Sequence, residues 1–497
     1  MQASSVSGNT FPKIEVDDAT VVACDVYYTV SVMPQIQWVV RYYRNRASAQ
    51  QKRVARVPNT MSVANQARSI NQDRSTSDHA TLRHPHCRLC HARLTTTFVD
   101  LGMSPLCESY VAADQIDQME PYYPLHVRVC GGCFLVQLQE YVKPEHIFTE
   151  YAYFSSYSTF WVEHARQFCN MITTRLGLGP NSQVFEIASN DGYLLQHFLP
   201  LGIPVTGIEP AANIAEVARQ RNIPTLVEFF SLKLARHLKS EGRRPDLIIG
   251  NNVLAQVPNI NDFTAGIAHL LAPNGVVTLE FPHLERLIDQ NQFDTIYHEH
   301  FSYFSLITID RLAHNHGLKL IDVEQITTHG GSLRVYLCHA DAAHAVSPRV
   351  GILLAHERKI GFEDIESYTR FSKRVHQTKR KLLSFLIQRK EQGARLCGYG
   401  APGKGNTLLN YCGIGTDFLD FTVDRNPHKH GRFTPGMHIP IYPVSAVDEA
   451  RPDYLLILPW NLKSEIIAQM RHVSAWGCKF VVPIPNVEVI DPRELVS

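Results

Sequence analysis

The sequence predicts an α/β protein in which a small zinc-binding module precedes two Rossmann-like domains, the second smaller than the first. Three observations predict it. Apolar, strand-length runs alternate with helix-length stretches between Asn181 and Leu337 and again from Arg395 onward, the rhythm of parallel sheets built from βαβ units. Two Cys-x-x-Cys pairs stand ahead of the first alternating run. Between the two runs, residues 346–392 are rich in Lys, Arg, Glu and Leu, as connecting helices are.

The chain has 497 residues, too many for one core and enough for about three domains at ~150 residues each. Residues 1–80 differ from the rest: Arg41 to Arg53 is basic and polar, and Ser62 to Asp78 is rich in Ser, Asn, Gln and Arg. Such a segment buries too little apolar surface to offset the entropy of ordering, so a disordered extension is expected there, with Met61 an alternative start. The expected divisions are then 84–145 for the zinc module, 146–345 for the first Rossmann-like domain, 346–392 for the helices and 393–497 for the second. A formal charge of +1 gives no footprint for nucleic acid or an anionic membrane. The most apolar early stretch, Thr20 to Val40, is broken by Asp25, Pro34 and Gln35, so no uninterrupted apolar run approaches the ~20 residues of a membrane helix. No signal peptide is recognisable. These features predict a cytoplasmic protein with no nucleic-acid or membrane partner, monomeric or weakly oligomeric.

Cys87-Arg-Leu-Cys90 and Cys130-Gly-Gly-Cys133 are two knuckles, each able to place two thiolates about 2.3 Å from one zinc ion; together they close a tetrahedron. A closed four-cysteine site has no open position and supports folding, not catalysis. His86 beside the first knuckle is the alternative ligand. The gap between knuckles leaves room for a hairpin or loop.

Val184 to Tyr193 has the form of a strand, a small-residue turn and a helix start, the place where parallel sheets bind nucleosides. Ala188, Asn190 and Gly192 let the backbone approach a ligand, while Glu186 and Asp191 suit a methionine amino group. The next strand ends at Glu209, whose carboxylate can accept from both ribose hydroxyls. After the third strand, Asn251 and Asn252 form a turn fit to border a reacting methyl group. Three strand-end motifs in this order are those of an S-adenosylmethionine (SAM) site.

The order of these motifs, together with Pro105-Leu-Cys107-Glu108-Ser-Tyr, Tyr297-His-Glu299-His300, His329-Gly-Gly-Ser-Leu-Arg334 and Pro435-Gly-Met-His-Ile-Pro-Ile, resembles the nucleotide-sugar C-methyltransferases from about His84 to the C-terminus. That family methylates carbon 3 of a dTDP-4-keto-deoxyhexose. The resemblance implies structural zinc, SAM as cofactor, and a sugar nucleotide held between the two Rossmann-like domains. Two departures stand out: Ala188-Ser189 where members often have Gly-Cys, and Cys107-Glu108 where others carry smaller or amide residues.

Methylation beside a ketone needs a base for a weakly acidic C–H and a donor for the enolate oxygen. The resemblance assigns the base to His300. Glu299 is expected to orient it or hold a hydroxyl, and Tyr297 with Tyr151 to donate to the ketone. His329 and Arg334 are expected to line the sugar pocket. A metal at His298 and His300 is the alternative, but no third ligand stands at a sensible spacing.

Gly398-Tyr-Gly400-Ala-Pro402-Gly403-Lys404 follows a strand and fits Gly-x-Gly-x-x-Gly, with Asp424 where a ribose-binding acid belongs. Read alone, this is an NAD site and suggests an oxidoreductase. The resemblance favours a sugar-nucleotide diphosphate instead, with Lys404 and Asp424 as substrate ligands. An O- or N-methyltransferase is the other alternative, since such acceptors need weaker bases.

Overall fold

The computed structural model describes residues 85–148 and 154–494; the expected extension over 1–80 and Tyr151 lie outside them. The first unit is the cysteine module. Strands β1 (Thr96–Ser104), β2 (Tyr123–Val129) and β3 (Val136–Leu138) form an antiparallel meander. The edge of β3 is covered by Ser302–Tyr303, supplied from far down the chain, which removes a free edge.

The second unit is a seven-stranded sheet. Its strands are β4 (Val184–Ile187), β5 (Val205–Ile208), β6 (Thr225–Leu226), β7 (Leu247–Asn251), β8 (Val276–Pro282), β9 (Leu318–Ile326) and β10 (Ser332–His339). They lie in the order β9-β10-β8-β7-β4-β5-β6, parallel except that β10 runs antiparallel to both neighbours. The parallel strands β4 to β8 are buried and mainly apolar because helices, including α1 (Thr159–Leu176) and α2 (Ile260–Leu270), cover both faces; Glu186 of β4 and Glu280 of β8 are the charged exceptions. Strand order reverses between β4 and β7, and a crevice opens at their carboxyl ends.

Two helices, α3 (Pro348–Lys359) and α4 (Ile365–Glu391), lead to the third unit. It contains β11 (Leu396–Tyr399), α5 (Gly403–Cys412), β12 (Thr422–Val423), β13 (Ile441–Tyr442), β14 (Tyr454–Ile457), β15 (Lys479–Val482) and β16 (Glu488–Ile490), with strands ordered β13-β12-β11-β14-β15-β16.

The cysteine module is fused to both larger units. Phe98 of β1 stacks on Phe371 of α4 at 4.6 Å, in one apolar core with Leu396 and Ile457 of the third unit. Cys87, Cys130 and Leu135 belong to the core of the seven-stranded sheet. Residues 105–122, between β1 and β2, reach across to the third unit, where Val111–Ala112 pairs with Arg432–Phe433. Among the described residues no helix is long and apolar enough to cross a membrane.

Candidate active site

Both knuckles converge. The ligand atoms of Cys87, Cys90, Cys130 and Cys133 all lie within 4.8 Å of one another. The sulfurs of Cys87 and Cys133 are 3.4 Å apart and those of Cys90 and Cys130 3.5 Å, near the ~3.8 Å edge of a tetrahedron with 2.3 Å Zn–S bonds. Gln137 Nε2–H donates to Cys87 Sγ at 3.1 Å and the Gly132 amide to Cys130 Sγ at 3.4 Å, bonds suited to thiolates. The set fits a zinc ion. His86 pairs through its backbone with Arg93 and is not among the clustered ligands.

The switch-point crevice is a cleft of about 680 Å³ lined by all three units. On the cofactor side lie Ala188, Asn190, Glu209, Asn251 and Asn252. The turn after β4 alternates handedness, with φ of 57° at Ala188, 50° at Asn190 and 77° at Gly192. A Cβ at Gly192 would also strike Ile223. Glu209 accepts from the amides of Asn190 at 3.0 Å and Ala211 at 2.9 Å; burial raises its carboxyl and those two bonds work against the rise. Glu209 itself lines the cleft. The amide oxygens of Asn251 and Asn252, which line the cleft, are buried with no hydrogen-bond partner among the described residues, as expected where a polar ligand supplies the missing partners. These residues fit SAM.

Three cofactor candidates stand behind the wall rather than in it. Glu186 is buried under the turn, its carboxyl raised by burial and by Glu209 and Asp191. Asp191 is held by the Ser156 hydroxyl and by Arg221 at 3.5 Å, and so ties the turn to the start of α1. Gly192 serves the backbone path.

The acceptor side carries Tyr297, Glu299, His300 and His329, with Glu108 from the cysteine module and Lys404 from α5. His300 Nδ1 lies 3.0 Å from the Thr295 carbonyl. A carbonyl only accepts, so Nδ1 carries the proton and Nε2 presents its lone pair. Burial, with Lys404 adding to it, holds the imidazole near a pKa of about 4, so it is neutral at pH 7. Tyr297 packs on it at 4.2 Å, its hydroxyl pushed well above its usual range by burial. His298 turns away, its Nε2–H donating to the Pro124 carbonyl at 3.3 Å; the two histidines therefore do not share a metal. His329 has φ of 53°, rests 4.9 Å from Trp161 and is lowered to about 4 by burial.

Two expected substrate ligands are placed elsewhere. Arg334 does not line the cleft: it binds buried Glu280 at 3.0 Å and Glu324 at 3.2 Å, because an arginine on an interior strand needs a carboxylate partner. Asp424 accepts from the amides of Ala401 at 2.7 Å and Asn426 at 2.8 Å, and so braces its own glycine turn. That turn is also filled. A Cβ on Gly403 would stand 2.8 Å from Glu108 Oε1 and 2.9 Å from Cys107 Sγ. Asn406 Nδ2 donates to the Cys107 carbonyl at 2.6 Å, and Tyr110 Oη to the Ala401 carbonyl at 2.5 Å. Where a dinucleotide diphosphate would sit on the end of α5, the cysteine module sits instead.

Sequence reasoning missed Glu108, Trp161 and Gln256 as lining residues. Gln256 stands five residues past Asn251 on the same crossover and was within reach of the motif; Glu108 reaches the cleft through contacts between units, and Trp161 through the packing of α1 against His329.

Three domain families match in the order of the units: a zinc binding domain over 87–148, a methyltransferase domain over 161–323 and a C-methyltransferase C-terminal domain over 327–485. The C-methyltransferase NovU of Streptomyces niveus is 35% identical over 404 residues, 81% of this chain and 96% of NovU. Among solved structures, magnesium protoporphyrin IX methyltransferase (ChlM) from Synechocystis PCC 6803 overlaps 36% of this chain and 81% of its own at 15% identity and a TM-score of 0.27. The CcbJ methyltransferase from Streptomyces caelestis overlaps 35% and 89% at 12% identity and a TM-score of 0.29. With its three domain types in that order, and with its likeness to NovU spanning four-fifths of its length, the chain belongs to the SAM-dependent C-methyltransferase family.

Proposed function

We propose that the protein methylates the carbon next to the ketone of a nucleoside-diphosphate 4-keto-deoxysugar. The observation that carries this is His300: its Nδ1–H is fixed on Thr295, which leaves the Nε2 lone pair free of that bond, and its ring lines the cleft that also holds the Glu209 and Asn251 turns. A neutral imidazole with a fixed tautomer is a general base ready for a C–H proton. Bound SAM supplies an electrophilic methyl group. The protein's own residues do the rest. His300 takes the proton, Tyr297 remains a protonated donor for the polarised ketone, and Glu299, buried beside Cys107 at 3.8 Å, accepts from a sugar hydroxyl. Trp161 and Phe229 border the cleft and limit water; Tyr151 is assigned to the ketone with Tyr297.

The test is incubation with methyl-labelled SAM and dTDP-4-keto-6-deoxyglucose, followed by carbon NMR of the product. A new C–CH₃ resonance that vanishes in His300→Ala supports the reading. A methoxy or N-methyl resonance, or full activity in His300→Ala, overturns it.

A further inference from the structure

Lys404 is the cleft's one cation from α5, and its surroundings differ from those of a phosphate ligand. The glycine turn beneath it is filled by Cys107 and Glu108, so the usual diphosphate seat on that helix end is closed. The ammonium is drawn sideways. Nζ donates to Asn461 Oδ1 at 2.8 Å and lies 5.1 Å from the centre of the Trp460 ring. Trp460 is anchored by its Nε1–H on Asp294 Oδ2 at 2.6 Å, with Asp294 fully buried. Lys404 shares the cleft wall with His300 and His329, and its charge helps depress both imidazoles. Burial lowers Lys404 itself, and Asp294 opposes that fall, so the buried carboxyl favours the charged amine.

We propose that Lys404 is a catalytic cation that binds the enolate oxygen formed when His300 deprotonates the adjacent carbon, an inference that rests on the 4-keto reading above. The C–H pair becomes the C=C bond, the carbonyl π pair moves to oxygen, and the proton resides on His300 Nε2. The oxyanion then faces the ammonium. As the carbon attacks the methyl group, the S–CH₃ pair stays on sulfur, the C=O bond re-forms and the charge at Lys404 is released. A fixed cation that meets charge only as it develops lowers the barrier without tightening ground-state binding. Asp294 and Trp460 are positioning residues for this amine.

The experiment compares wild type, Lys404→Met and Lys404→Arg in D₂O, with S-adenosylhomocysteine and dTDP-4-keto-6-deoxyglucose as the probe. It follows exchange of the proton next to the ketone by NMR, and dTDP affinity by calorimetry. The expected result is a fall in exchange at saturating probe of about 10²–10³-fold in Lys404→Met, partial retention in Lys404→Arg, and a dTDP Kd within about twofold of wild type in both. Unchanged exchange in Lys404→Met, or a tenfold weaker dTDP affinity with exchange intact, would overturn the proposal and make Lys404 a diphosphate ligand or a structural residue. If wild type fails to exchange the proton while binding the probe, the 4-keto reading falls, and this role with it.

Discussion

Lowering the pH separates His300 from an ordinary histidine by a wide margin. An unperturbed imidazole titrates near 6.5, whereas burial in the cleft holds His300 at about 4. At pH 5.5 a base titrating at 4 is about 97% neutral and one titrating at 6.5 about 9%. The kcat/KM for methyl transfer at pH 5.5 is therefore expected to remain within about twofold of its value at pH 7.5, against a fall of about tenfold for an unperturbed base. The assay is a pH–rate profile on the sugar nucleotide, paired with NMR titration of the His300 Cε1–H in the S-adenosylhomocysteine complex. A midpoint above about 6 in the NMR titration refutes the argument, whatever the rates do. Stability carries the same sign. His300 and His329 both sit near 4 when folded, so as pH falls below 6.5 the unfolded chain takes protons first. Their contribution is whole above 6.5 and is lost progressively down to about 4, by at most ~3 kcal/mol per imidazole and less for side chains that face the cleft. Asp294, raised to about 6 by burial, binds its proton first in the folded state and offsets part of that slope between about 6 and 3.8.

Removing zinc should disable the cleft as well as the module: chelation, or Cys133→Ser, is expected to lower Tm by many degrees and abolish methyl transfer, because residues 105–110 and the contacts of Ser302–Tyr303 depend on the cysteine core. Full activity in zinc-free protein would contradict this. Glu209→Ala should weaken SAM at least tenfold, ~1.4 kcal/mol, by calorimetry, and an unchanged affinity would remove that carboxylate from the cofactor site. Arg334→Met strands buried Glu280 with only His164 and Thr328 and should cost about 3–5 kcal/mol in denaturant unfolding. A stable variant with a raised KM would return Arg334 to the substrate.

The parts of the fold that local chemistry dictates were legible in the sequence. The runs around Val184, Val205, Leu247 and Val276 are buried on both faces and so are mainly apolar, with Glu186 and Glu280 as the charged exceptions. The four cysteines declare their geometry by spacing alone. The hairpin of β9 and β10 was harder to see, because Asp322, Glu324 and Arg334 put charges into strands where arginine–carboxylate pairs offset them, and Lys319 adds another, held on the Ala342 carbonyl. Long-range placement was not legible. Arg334 and Asp424 carry the right chemistry at a suggestive distance from glycine turns, yet each is satisfied by a partner that no local pattern announces.

The glycine turn after β11 shows why such a motif misleads. Its sequence specifies a tight strand-to-helix turn with room for close approach, and that requirement is met as fully by Cys107 and Glu108 of the cysteine module as by a diphosphate. Gly403 is the discriminating position. Gly403→Ala would press a methyl group against Cys107 Sγ, which is buried and lacks the freedom of the Glu108 carboxylate to swing aside. Overpacking of this kind costs about 1–3 kcal/mol, and it would appear as lost stability and a displaced Glu108 at the cleft wall. A dinucleotide-binding turn would instead lose ligand affinity at constant stability. Equilibrium unfolding of Gly403→Ala, read beside its NAD affinity, thus decides between a docking turn and a cofactor turn: destabilisation with no NAD binding in either variant or wild type establishes the first, and wild-type NAD binding lost in a fully stable variant establishes the second.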